Sequence, residues 1–179
     1  MELIKKFINR LRHFYGFSAF RMSIFINLIK KFPEELKYTS ELQYWIGRYN
    51  AEDKDFHNDH YRALMLAMAQ EKTDSFLENK IVADFGCGPR GSLAWTQSPL
   101  LKIGIDVLVD KYFDTFGDIL FKHNCIYVKS TEHYIPLPSE FVDVVFTMNS
   151  MDHTENFSTM ASEVLRILKV GGSSLEVLT

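Results

Sequence analysis

The strongest constraint on the fold is a change of rhythm at Ile81. Ahead of it, apolar residues recur at helical spacing. From it onward, short apolar runs at Ile81 to Phe85, Leu101 to Val107, Ile126 to Lys129, Val142 to Met148 and Ser174 to Leu178 alternate with helical stretches. Parallel neighbours cannot be joined by a tight turn, so runs of that length separated by crossovers read as strands of one parallel sheet. The expected fold is α/β: a Rossmann-like, doubly wound parallel sheet of five strands over residues 80–179, with an N-terminal helical cap over 1–79. At 179 residues and 46% apolar content, the chain has the length and composition to bury one such core.

Four helices are expected before the sheet. Leu3, Ile4, Phe7, Ile8, Leu11, Phe14 and Tyr15 mark an amphipathic helix over 2–15, ended by Gly16. A second runs from Ala19 to Phe32 and is closed by the Phe32–Pro33 step. Ser40 and Gln43 form a capping-box pattern that opens a third, and a fourth covers roughly Phe56 to Leu77.

The net charge of −3 gives no reason to expect a nucleic-acid partner. Lys5, Lys6, Arg10, Arg12, Arg21, Lys30 and Lys31 are nearly unopposed before Pro33, which suits peripheral contact with an acidic membrane surface through these helices. No apolar run approaches the roughly 18 residues of a membrane span. With only Cys87 and Cys125 there is no disulfide framework or C-x-x-C site, and a reducing cytoplasm fits. His57 and His60 have no identifiable third ligand, so no metal is expected.

The chemistry is concentrated in VADFGCGPRGSL, Val82 to Leu93, where Gly86, Gly88 and Gly91 have the G-x-G-x-x-G spacing of a nucleotide-binding turn. Asp84 decides which nucleotide. A carboxylate at the end of the first strand would oppose a pyrophosphate about 6 Å away by roughly 3 kcal/mol at an effective dielectric near 20, and would attract an ammonium by as much. S-adenosylmethionine carries an α-ammonium, a sulfonium, and a carboxylate for the backbone N–H groups of the turn. Asp106, at the end of the second strand, has the offset of a carboxylate that accepts from ribose hydroxyls in either kind of site. Arg90 suits a phosphate and keeps an NAD-dependent oxidoreductase as a rival reading. The short helix expected over Ser92 to Gln97, cut by Ser98–Pro99, argues against it.

Together, VADFGCGPRGSL, IGID, STEHYIPLPSEFVDVVF, NSMDH and SEVLRILKVGG resemble the core of a class I S-adenosylmethionine-dependent methyltransferase, over about half the chain. The similarity is greatest to enzymes of small molecules and saccharides, and YWIGRYN and FHNDHYRALML ahead of the core have the same look. The resemblance implies that Asp84 lies near the methionyl amine, that Gly86 and Gly88 line the methionyl group, that Asp106 binds the ribose, and that Thr131 and Glu132 contact the adenine. Cys87, Val107 and Asn149, beside these positions, complete the candidate donor-binding set, with Cys87 also a small packing residue.

Methyl transfer from a sulfonium needs alignment and exclusion of water more than a dedicated nucleophile. An oxygen acceptor would gain from a general base, and His153, just past the fourth strand, is the candidate, with Asn149 and Asp152 as orienting neighbours. The expected partner is a small-molecule or saccharide acceptor. Two departures from the pattern stand out: Val170 replaces a usual proline in LKVGG, and the family's full sheet adds a helix and two strands after the fifth. Ser174 to Leu178 would then be an exposed edge, so a further piece of chain or an oligomer through that edge is expected. A non-catalytic, partner-binding domain is the alternative function.

Overall fold

The computed structural model describes residues 19–177; the helix expected over 2–15 lies outside them. Two compact units divide between Gln43 and Tyr44. Helix α1 spans Ala19–Ala51. It runs through Pro33, where a helix end was expected. Proline removes one backbone hydrogen bond, at a cost of about 3 kcal/mol, but strong helix formers on both sides, such as Leu28, Lys30, Glu35 and Leu36, carry the helix on. The helix expected to open at Ser40 is part of the same element. Among the described residues, no helix is long and apolar enough to cross a membrane.

The second unit is built on an all-parallel sheet of β1 (Ile81–Phe85), β2 (Leu101–Asp106), β3 (Ile126–Lys129), β4 (Val142–Met148) and β5 (Leu168–Val177). The strand order is β3-β2-β1-β4-β5. This is the doubly wound order, and its direction reverses between β1 and β4, where the carboxyl ends of such strands form a ligand crevice. Helices α2 (His60–Ala69), α3 (Val109–Leu120) and α4 (Phe157–Ile167) accompany the sheet. The fourth expected helix is shorter than the pattern suggested: α2 ends at a left-handed Gln70, and a separate 3-10 turn, Asp74–Leu77, follows.

Strand residues alternate between two cores. Ala83, Phe85, Ile103, Ile105 and Val145 pack with Met160, Val164 and Ile167 of α4. Val82, Val144 and Phe146 face the other way and meet Met65 of α2, Leu77 and Leu93. A sheet apolar on both faces must be covered on both, which is why its strands read as nearly continuous apolar runs. The crossover from β1 to β2 departs from the usual plan: residues 86–100 form turns with no helix. The short helix expected over Ser92 to Gln97 is absent, because Gly91 before it and Ser98–Pro99 after it leave too few residues for a stable helix. Lys102 ties the crossover down instead, its buried ammonium donating to the carbonyls of Thr96 (3.0 Å) and His123 (3.2 Å). Strand β5 begins at Leu168, six residues before the expected run, and slips register against β4 between Val142 and Val144. Gly171, at φ +79°, lies in the irregular stretch.

Candidate functional site

Asp84 and the glycine turn stand at the carboxyl end of the central strand. The turn is anchored to β2: the Gly86 and Cys87 amides donate to the Ile105 carbonyl at 2.8 and 3.2 Å. Asp106 braces it from the side, accepting from the Gly88 amide at 3.0 Å through one carboxylate oxygen and from the Leu108 amide at 2.9 Å through the other. The carboxylate thereby fixes both the turn and the entry to α3. Val107 is half-buried in the turn just after it.

Asp84 is buried, 1% exposed. One carboxylate oxygen accepts from the Ser92 hydroxyl, while the other, Oδ1, has no hydrogen-bond partner. Burial pushes its pKa up to about 7, with the Asp106 charge adding to the rise and the Ser92 hydroxyl opposing it. An unpaired buried carboxylate oxygen is costly without a ligand and is the partner a ligand cation requires.

Both glycines of the turn are left-handed, Gly86 at φ +71° and Gly88 at +56°, and both are approached closely. A β-carbon at 86 would fall 2.2 Å from Ser150 Cβ, and one at 88 would fall 2.7 Å from Trp45 Cζ2. Ser150 comes from the segment after β4, and its hydroxyl donates to the Phe85 carbonyl at 2.8 Å. The same rule applies beneath the turn, where Cys87 Sγ lies 2.9 Å from the β-carbon Gly104 lacks. Burial raises the Cys87 thiol well above its usual range, so it is a packing group.

Residues 44–58 pack over the turn. Phe56 meets Trp45 edge-on and Tyr49 at a tilt, and both Tyr49 and Phe56 meet Phe116 of α3 edge-on, at centroid distances of 5.2 to 6.0 Å. Glu52, 7% exposed, pairs with Arg48 and with Arg90 of the turn, and accepts the His57 amide at 2.9 Å. Asn58 donates to the carbonyls of Arg90 and Gly91 at 3.3 and 3.5 Å.

The remaining candidates follow β3 and β4. Thr131 is exposed and spends its hydroxyl on its own turn, accepting the His133 amide at 3.2 Å. Glu132 is 8% exposed and accepts the Glu155 amide at 3.3 Å, linking this turn to the segment after β4. Asn149, exposed and left-handed at φ +49°, directly follows β4. His153 is exposed in the 3-10 turn Met151–His153. The candidates therefore gather at the carboxyl ends of β1 to β4. Ser92, Ser150, Glu52 and the placement of Trp45 escaped the sequence reading; Ser92 carried the one local signal, a hydroxyl just beyond the turn.

The residues fit an S-adenosylmethionine in donor and acceptor chemistry: an acid with one unpartnered oxygen for the ammonium, a turn that lacks β-carbons at Gly86 and Gly88 for the methionyl chain, and a second acid at the next strand end. The methyltransferase-domain family matches residues 83–175. No curated protein matches the chain. Among solved structures, it is similar to the YcgJ protein of Bacillus subtilis (23% identity, TM-score 0.52, covering 65% of this chain and 49% of that one). A candidate S-adenosyl-L-methionine-dependent methyltransferase of Methanococcus maripaludis is also similar (22%, 0.50, 65% and 56%). So is the [4+2]-cyclase SpnF (22%, 0.50, 63% and 43%). The chain thus spans about half the length of these proteins, and at such identities the likeness is one of fold. With the match over half the chain and the fold agreeing, the chain belongs to the methyltransferase-domain family.

Proposed function

We propose that the chain is the donor-binding core, residues 80–179 with a helical extension ahead of it, of a methyltransferase that transfers methyl to an oxygen of a small molecule or saccharide. The observation that carries this reading is the buried, unpartnered Oδ1 of Asp84 beside the left-handed Gly86 and Gly88. A phosphate-bearing dinucleotide would meet that acid as a repulsion.

When bound, S-adenosylmethionine supplies an electrophilic methyl group on a sulfonium. The chain's own residues orient and protect it. Asp84 holds the ammonium in a buried site, the Gly86–Gly88 backbone takes the methionyl chain, Asp106 accepts from the ribose hydroxyls, and Thr131 and Glu132 border the adenine. Cys87, Val107 and Asn149 line the same crevice. His153 takes the proton from the acceptor hydroxyl, as an exposed imidazole next to the crevice can do without rearranging the core. Cytoplasmic residence accords with two free cysteines.

The test is calorimetric titration with S-adenosylmethionine and S-adenosylhomocysteine, beside Asp84→Ala and NAD, followed by transfer assays on hydroxyl and amine acceptors. Saturable donor binding lost in Asp84→Ala, with transfer to hydroxyls, supports the reading. A folded chain that binds NAD and not the donor, or that methylates only amines, overturns it.

A further inference from the structure

The end of β1 and the glycine turn that follows it hold two buried side-chain atoms without hydrogen-bond partners among the described residues, and they are of opposite sense. Asp84 Oδ1 is an acceptor and Arg90 Nε is a donor. A lone orphan marks a cost; a matched pair, one at a strand end and one in the turn six residues on, suits a ligand that carries both an ammonium and a carboxylate, as an α-amino acid end does.

Arg90 is also held in a way that leaves it exchangeable. Its guanidinium lies near the Trp45 and Phe56 rings, with centroids 5.8 and 5.9 Å away, in a side-chain environment only 11% exposed. Its ionic partner, Glu52, is not part of the turn but comes from the segment packed over it, and Glu52 has a second cation, the half-exposed Arg48, as well as the His57 amide. Glu52 can therefore give up Arg90 without becoming an unpaired buried charge. A ligand carboxylate would replace one carboxylate by another on the same guanidinium, and a planar guanidinium offers it a second N–H.

We propose that Arg90 receives the carboxylate of the methyl donor and that Glu52 is the internal counter-ion it displaces, so that the Glu52–Arg90 pair sets donor affinity and closes the segment over the turn when the donor is absent. This rests on the methyl-donor reading above. It predicts that Glu52 competes with the donor.

The experiment compares S-adenosylmethionine with its decarboxylated form, which keeps the ammonium and sulfonium and lacks only the carboxylate, in the wild type, Glu52→Gln, and the double variant Glu52→Gln/Arg90→Met. The quantity read is the ratio of the two affinities within each variant, which cancels losses of folded protein. Glu52→Gln should bind S-adenosylmethionine about tenfold more tightly with little change for the decarboxylated form, and the double variant should bring the ratio close to one. An equal ratio in all three folded proteins, with Glu52→Gln only less stable, would make the pair purely structural and overturn the proposal. Absence of both ligands from every folded variant would overturn the donor reading and this assignment with it.

Discussion

Ser150 stands directly over Gly86: its Cβ lies 2.2 Å from where a side chain at 86 would begin, while its hydroxyl grips the Phe85 carbonyl at 2.8 Å. The turn after β1 and the turn after β4 are thus fitted to each other at the point where the sheet reverses direction. Gly86→Ala combines a left-handed non-glycine residue with an overlap, so a loss of roughly 2 to 5 kcal/mol is expected. In thermal unfolding this is a fall of about 5 to 15 °C. Adding Ser150→Gly removes the overlap and should recover about half of it, although the backbone strain stays. Full additivity of the two substitutions would show that they do not meet.

Asp84 should make the stability of the ligand-free chain fall as pH rises. Its folded pKa of about 7 lies above the ordinary 3.8, so the folded state holds the proton more tightly, and the advantage present below pH 4 is lost on the way to pH 7. The full shift corresponds to a loss on the order of 4 kcal/mol. His123 works the other way: burial first, then the Lys102 charge, lower its imidazole to about 4, so its contribution is present above pH 6.5 and lost as pH falls toward 4. The measurement is therefore the difference between wild type and Asp84→Asn in denaturant unfolding at pH 5 and pH 8. The difference should favour the wild type more at pH 5. Donor affinity should rise with pH through 7 in the wild type and stay flat in Asp84→Asn.

The central strands were legible because a sheet covered on both faces leaves its mark residue by residue: β1 and β4 fall at their expected bounds, as does the less buried edge strand β3, and Asp84, Gly86, Gly88 and Asp106 meet where strand ends must put them. What was illegible is set by distant parts of the chain. Nothing near Gly86 announces Ser150, and nothing near Gly88 announces Trp45, because those approaches depend on how the β4 exit and the segment 44–58 come to rest. Arg90 was hard to read for the same reason: alone it suggests a phosphate, and its buried carboxylate partner, Glu52, lies 38 residues away in the chain. Local signals failed where they had compensation, as at Pro33, and where a bulge let β5 start early at Leu168.

Arg166 of α4 should prove irreplaceable by lysine. Its fork reaches the Leu137 carbonyl at 2.8 Å and the Ile135 carbonyl at 2.7 Å while pairing with Glu163, whose carboxylate in turn accepts the Ile135 amide at 2.9 Å. This clamp holds the chain that leads from Thr131 and Glu132 to β4. Arg166→Ala should cost roughly 2 to 4 kcal/mol, and Arg166→Lys should recover less than half, since one ammonium cannot serve both carbonyls and the carboxylate. Denaturant midpoints check the stability, and a parallel weakening of donor binding would tie the clamp to the proposed adenine contacts. Donor binding unchanged in a destabilised variant would separate them.

His153 carries the prediction closest to the chemistry. It is exposed, outside both packed cores, so its removal should leave folding intact. A general base contributes about 10² to 10⁴ to the rate, and His153→Ala should lose that much in kcat with a hydroxyl acceptor. The donor dissociation constant should not change, because His153 is not among the groups assigned to the donor, which lie at Asp84 through Val107, at Thr131 and Glu132, and at Asn149. An amine acceptor presented unprotonated needs no base, so its methylation should be insensitive to the substitution. Equal loss with hydroxyl and amine acceptors would assign His153 to acceptor binding, and no loss with either would remove it from the site.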